Sequence, residues 1–271
     1  MAGKFSYKVG NHSDKGMVRA NNQDSFGSAK NPWGQIYIVA DGMGGHKGGE
    51  VASQMAVSHI TDAFKQADKS VKPAEFLEKS IQQANQLVVK KGKENKELEG
   101  MGTTIVCILM TDNIAHIAHV GDSRLYIFRY NKPYFVTKDH SVVQDLLDKE
   151  LITAKEAENH PNKNRILQAI GTGNITPSIT IEKLYKGDSV LLCSDGLTGE
   201  VKVNNIYSVI KANEPVVATE RLIARANKNG GSDNITAIVI KVDKGPSPPP
   251  QPKIKSSNFP VRTQKSYKSL F

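Results

Sequence analysis

Short runs rich in Val, Ile and Thr, each bounded by Gly, Asp or Asn, recur over the first 243 residues. They are IYIVAD, TTIVCILM, IAHIAHVGD, SRLYIFRY, SITIEKL, SVLLCSD and NITAIVIKV. β-Branched side chains suit a pleated, buried surface, so each run predicts a strand. Residues 50–66 and 73–91 carry apolar side chains at helical spacing instead, Val51, Met55 and Ile60 in the first and Phe76, Ile81, Ala84 and Val88 in the second. Each follows a Gly-rich or Pro-bearing start, as a helix does. A second helix pair is predicted at 202–212 and 216–227, between the last two strands. Pairs of helices between clusters of strands predict a layered α+β domain. Residues 139–169 break the pattern, being polar and helical only in short pieces (SVVQDLLDKEL, TAKEAENHP), and read as a flap inserted beside a binding site.

The alternation stops at KGPSPPPQPK, where five prolines between Pro246 and Pro252 remove backbone donors and favour solvated, extended chain. The reading is one domain over 1–243 and a basic, disordered tail over 244–271. Of the net charge of +9, the tail holds +6 (Lys244, Lys253, Lys255, Arg262, Lys265, Lys268, no acid), leaving +3 on the domain. The basic balance therefore belongs mainly to the tail, which shows no recognised binding fold; specific nucleic-acid binding is not expected, and contact with anionic surfaces is at most an accessory role. The only cysteines, Cys107 and Cys193, sit inside apolar runs as small hydrophobes, which favours a reducing, cytoplasmic compartment. The segment MAGKFSYKVG lacks the apolar core of a signal peptide, and no apolar stretch reaches the roughly 18 residues of a membrane span. A soluble monomer is expected.

The chemistry gathers at the strand ends. Asp41 closes IYIVAD before GMGGH, Asp122 closes IAHVGD, Asp195 closes SVLLCSD, and Asp233 opens the last strand. One Asp-Gly pair alone reads as a tight turn. Four such acids together ask for a cation, because each buried carboxylate costs several kcal/mol unless it is answered. Oxygen ligands without Cys or paired His point to Mg²⁺ or Mn²⁺ rather than zinc. Gly42 would let its own carbonyl approach such an ion. Two metals held by acids can direct water in line at phosphorus, a reaction that needs ~20 kcal/mol of barrier lowering. Arg19 is the candidate clamp for the phosphate oxygens, although an isolated arginine more often reads as a surface charge.

These residues resemble the metal-dependent Ser/Thr protein phosphatases of type 2C, in their bacterial branch. The motifs run in family order across residues 6–243: SDKGMVRANNQDS from Ser13, DGMGGHKGGE from Asp41, GTT from Gly102, GDSR from Gly121, DHS from Asp139, CSDGL from Cys193 and SDNIT from Ser232. The resemblance implies a four-layer α-β-β-α sandwich of two mainly antiparallel sheets flanked by helices, and two Mn²⁺ or Mg²⁺ ions in a cleft at one edge. It implies that Asp41 bridges both ions, that the Gly42 carbonyl binds the second, and that Asp195 and Asp233 bind the first. Arg19 would hold the phosphate, Gln23 and Asp24 would position waters around the ions, Asn234 would support the site, and Asp122 with Asp195 would form a third metal site. Eukaryotic members carry histidine where this chain has Met43, so His46 is the candidate general acid, weighed against a structural or substrate-orienting role. Gln23 likewise stands where they carry glutamate. His116, His119, His140 and His160 read as packing residues, and Arg165 as part of the flap's phosphate side.

The function implied is metal-dependent hydrolysis of phosphoserine and phosphothreonine in proteins, with phosphoproteins and the opposing Ser/Thr kinases as partners. The alternative is a catalytically silent homologue used for binding, which retention of every required acid disfavours.

Overall fold

The computed structural model describes residues 5–251 together with the backbone of 262–263. In chain order the elements are β1 (Ser6–Asp14), β2 (Asp24–Asn31), β3 (Gly34–Met43), α1 (Gly45–Gln66), α2 (Pro73–Glu94), β4 (Gly102–Thr103), β5 (Ile105–Thr111), β6 (Ile114–Val120), β7 (Arg124–Arg129) and β8 (Lys132–Val136). After them come α3 (Val142–Asp148), α4 (Ala154–Glu158), β9 (Ser178–Lys183), β10 (Ser189–Cys193), α5 (Asp195–Glu200), α6 (Val203–Ala212), α7 (Pro215–Asn229), β11 (Ile235–Lys244) and β12 (Arg262–Thr263).

The strands form two sheets, ordered β1-β11-β10-β7-β8-β12 and β2-β3-β5-β6-β9, with β4 on β3. Every pairing is antiparallel except that of β12 with β8. Period-two alternation divides each central strand between two cores. On β3, Ile36, Ile38 and Ala40 face α1 and α2, while Tyr37 and Val39 face the other sheet. On β10, Val190 and Leu192 point between the sheets, and Leu191 and Cys193 point to α5, α6 and α7. The result is the expected four-layer α-β-β-α sandwich, with both cysteines buried and unpaired.

Burial on both faces explains why the central strands are apolar without interruption. β1 and β2 lie at sheet edges, β8 has only the short β12 outside it, and all three carry few buried side chains. They escaped the pattern reading for that reason. Residues 139–169 leave β8 and close on themselves: the N–H of Leu167 donates to His140 O (2.7 Å) and that of Val142 to Arg165 O (2.9 Å). Past Lys244, the N–H of Lys186 donates to Pro246 O (3.0 Å), the Tyr130 hydroxyl donates to Pro249 O, and 262–263 run beside Phe135 and Val136. The expectation of a disordered tail otherwise falls on residues outside those described. Among the described residues no helix is long and apolar enough to cross a membrane.

Candidate metal centre

The acids reach one end of the sandwich from both sheets. Asp24 begins β2 directly opposite Asp41 on β3, and Asp122 lies in the turn from β6 to β7. From the other sheet, Asp195 opens α5 immediately after β10, and Asp233 precedes β11. The backbone around Asp41 is tightly held. Its N–H donates to Thr104 Oγ1 (3.0 Å), its carbonyl accepts from Thr104 N–H (2.8 Å) and Thr103 Oγ1 (2.9 Å), and Thr104 Oγ1 is hydrogen-bonded to Ser123 Oγ (2.7 Å). The strand carrying Asp41 is thus tied to the turn carrying Asp122. Gly42 can be nothing larger, since a Cβ there would lie 2.1 Å from Gly49 O and 2.6 Å from Gln23 O. Gly196 meets the same limit, 2.1 Å from Asn234 O, which lets α5 start against β11.

Burial and crowding make these carboxyls reluctant to ionise. Burial pushes Asp24 up to about 7, eased by hydrogen bonds from Ser194 and Thr236 and reinforced by the charges of Asp195 and Asp233. Asp122 is also pushed up to about 7, by burial and then by Asp195 and Asp139. Asp41 is raised well above the usual carboxylate range by burial and then by Asp24, Asp195 and Asp122. Asp195 is raised by burial and by Asp233. Mutual repulsion across both sheets is the signature of a site built for added positive charge.

Orphaned oxygens agree with this. Asp24 Oδ2 accepts from Ser194 Oγ (2.7 Å), but Asp24 Oδ1 and Asp195 Oδ1 are buried with no hydrogen-bond partner. A hard divalent cation fits such a donor set, being all oxygen and net negative. As the side chains stand, no three acidic, histidine or cysteine groups among the described residues enclose a single ion. Asp41 and Asp195 share a hydrogen bond, and Arg19 Nη2 rests on Asp233 Oδ2 at 2.8 Å.

The remaining site residues support that cluster. The Asn234 side chain accepts the Gln23 N–H (2.8 Å) and donates to Lys15 O (2.9 Å) and Asn21 O (2.8 Å), so it holds the loop carrying Arg19 at both ends. Gln23 contributes its carbonyl to Gly42 N–H and Ser53 Oγ. The side chain of His46 lies outside the described residues. His119 and His140 stack at 4.7 Å: His119 Nε2 donates to Lys138 O (2.6 Å), while His140 takes the Gly121 N–H on Nδ1 (3.3 Å) and donates from Nε2 to Ser178 Oγ (2.9 Å).

One feature of the site went unread in the sequence. Arg124 holds Asp139 with two parallel bonds, Nε to Oδ1 (2.8 Å) and Nη2 to Oδ2 (2.6 Å), and so ties the flap's first residue to β7 beside Asp122. Both residues stand in motifs the sequence displays, GDSR and DHS, and adjacency to those motifs was the only available signal.

Comparison with known proteins decides the family. Its model, protein phosphatase 2C, matches residues 11–237. The chain belongs to that family. The serine/threonine phosphatase stp of Listeria monocytogenes is 38% identical over 237 residues, 85% of this chain and 94% of that protein. The solved serine/threonine phosphatase of S. agalactiae superposes with a TM-score of 0.83 at 34% identity, covering 88% of this chain and 100% of that one. The catalytic domain of the phosphatase PstP, solved in complex with two manganese ions, gives a TM-score of 0.78 at 33% identity over 89% of this chain and 100% of that one. The protein is an enzyme, a serine/threonine phosphatase of bacterial type 2C, and its two-sheet sandwich is the fold of these relatives.

Proposed function

We propose that this phosphatase removes phosphate from phosphoserine and phosphothreonine in proteins, opposing Ser/Thr kinases, with two divalent ions, Mn²⁺ or Mg²⁺, at the acid cluster. Asp41 would hold both ions, the Gly42 carbonyl the second and Asp195 and Asp233 the first, and Asp122 with Asp195 would offer a third, optional position. Bound there, the ions supply Lewis acidity toward water and the phosphoryl oxygens. The chain's own contribution is placement. Asp41 is fixed through its backbone to Thr103 and Thr104, and Asp24 through Ser194. Asp24 and Gln23 orient water beside the cluster. Arg19, half exposed on Asp233, is free to turn its guanidinium onto two phosphate oxygens once Asp233 binds a cation. The leaving alkoxide must gain a proton, and His46 at the start of α1 is the candidate donor.

The observation carrying this reading is the pair of unpartnered buried carboxylate oxygens on Asp24 and Asp195, inside a group of mutually repelling acids drawn from both sheets. Release of phosphate from a phosphothreonine peptide should require Mn²⁺ or Mg²⁺ and stop with a chelator. Asp41→Asn and Asp233→Asn should each lower kcat/KM by about 10²-fold or more, the scale of losing one preorganised electrostatic partner. Full activity after thorough metal removal would exclude the mechanism.

A further inference from the structure

Immediately before Arg19, two large apolar side chains stand in solvent: Met17 is 69% and Val18 70% exposed. Scattered exposed apolar residues are ordinary on protein surfaces. These two are different because the backbone holds them out. Asn234 fastens Lys15 and Asn21 at the two ends of their loop, and the Met17 N–H donates to Gly231 O (2.8 Å). Gly16, at φ +79°, gives its N–H to Asp14 Oδ1 (2.8 Å), and a Cβ on it would lie 2.1 Å from Asp233 O. The loop is therefore pressed onto the turn that carries Asp233, with Met17 and Val18 left on its outer side. The next residue, Arg19, reaches the acid cluster.

We propose that Met17 and Val18 form a specificity subsite that takes a large apolar side chain next to the phosphorylated residue of the substrate. The proposal rests on the reading in which Arg19 holds the phosphate. Gly16, Met17 and Val18 form a turn that ends just before Arg19, and with consecutive Cα atoms about 3.8 Å apart both apolar residues lie within about 8 Å of the Arg19 backbone. A phosphate on Arg19 therefore brings the residues flanking it within reach of Val18 and Met17. An apolar neighbour removes three side chains from water together, whereas a small polar neighbour leaves both loop residues wet. The loop offers no acid, its charges being Lys15 and Arg19, so it has nothing with which to select a basic flank.

The test uses the full chain with Mn²⁺ and three substrates: para-nitrophenyl phosphate and two phosphothreonine peptides that differ only in having Leu or Ser on both sides of the phosphothreonine. The wild type should favour the Leu-flanked peptide by about tenfold in kcat/KM, the usual scale for a small apolar subsite. The double variant Met17→Ser, Val18→Ser should lose that preference while turning over the aryl phosphate within about twofold of wild type. Val216→Ser alters another exposed apolar residue, at the start of α7, a 15-residue helix and hence about 20 Å from its end near Gly231. It should keep the preference intact. Aryl phosphate turnover without any Leu preference in the wild type, a preference surviving in the double variant, or an equal loss on all three substrates would each overturn the subsite. Absence of metal-dependent aryl phosphate turnover in the wild type would instead overturn the underlying phosphate-site reading, and the subsite with it.

Discussion

Asn234 makes three hydrogen bonds from one buried amide, and each of them joins the residue before β11 to the Arg19 loop, more than 200 positions away in sequence. Nothing in the local pattern around Asn234 forecasts that span. The acids were legible because an ionisable group at the end of an apolar strand is anomalous wherever it stands. The groups that brace them, Thr104, Ser123, Ser194 and the Arg124–Asp139 pair, are ordinary residues whose value lies only in what they touch. Removing such a brace should cost activity and stability together. Asn234→Ala is expected to lower kcat/KM about 10- to 100-fold, the usual effect of losing a supporting group around a metal site. It should also destabilise the fold by about 1–3 kcal/mol, since it leaves buried backbone groups unpaired. Arg19→Ala should differ, with a comparable loss of kcat/KM but little change in thermal midpoint, because its ion pair with Asp233 is half exposed and such pairs contribute little. Equal thermal shifts for the two variants would contradict this division of roles.

At the scale of elements, legibility followed burial. β3, β5, β6, β7, β10 and β11 are lined by core residues and announce themselves as apolar runs, whereas β1 and β2, at the sheet edges, bury few side chains and read as polar chain. The pairing order was equally hidden, since β1 lies beside β11 through contacts that no local pattern encodes. The far end of the same sheet holds a buried ion pair. Arg129, at the end of β7 opposite to Arg124, pairs with Asp188 (Nη2 to Oδ2, 2.7 Å), both side chains nearly inaccessible, and lies between the rings of Tyr134 (4.1 Å) and Tyr185 (4.5 Å). Breaking one side of such a buried pair strands the other charge, at a cost of about 3–5 kcal/mol. Asp188→Asn should therefore lower the thermal midpoint by roughly ten degrees in a calorimetric scan. Activity measured well below that midpoint should remain near wild type, because five residues of strand, about 17 Å, separate this pair from the acid cluster. A large loss of kcat at low temperature would show the two ends of the sheet to be coupled.

For the molecule as a whole, the acid cluster should set how stability responds to pH and to metal. Asp24 and Asp122 keep their protons up to about pH 7 in the folded, metal-free protein, and Asp41 and Asp195 are raised as well. The unfolded chain loses those protons near pH 4. Between these values the folded state binds more protons, so this contribution to stability is complete below about pH 4 and is lost as pH rises through about 7. The buried histidines act in the opposite sense. Burial lowers His116 to about 4 and His119 to about 3, so their contribution is present above about pH 6.5 and is lost as pH falls toward 3. Above pH 6.5 the histidines are neutral in both states and only the acids still change. Metal-free protein should then lose thermal stability between pH 6.5 and 8, when the cluster ionises with nothing to neutralise it. Divalent ions compete with the protons on the same carboxylates, and their binding grows stronger as those protons leave. The rise in thermal midpoint on adding Mn²⁺, measured against a chelated sample, should accordingly be larger at pH 8 than at pH 6. Asp41→Asn should abolish most of that difference. A metal-induced shift of equal size at both pH values would mean that the ions do not bind where these four acids meet.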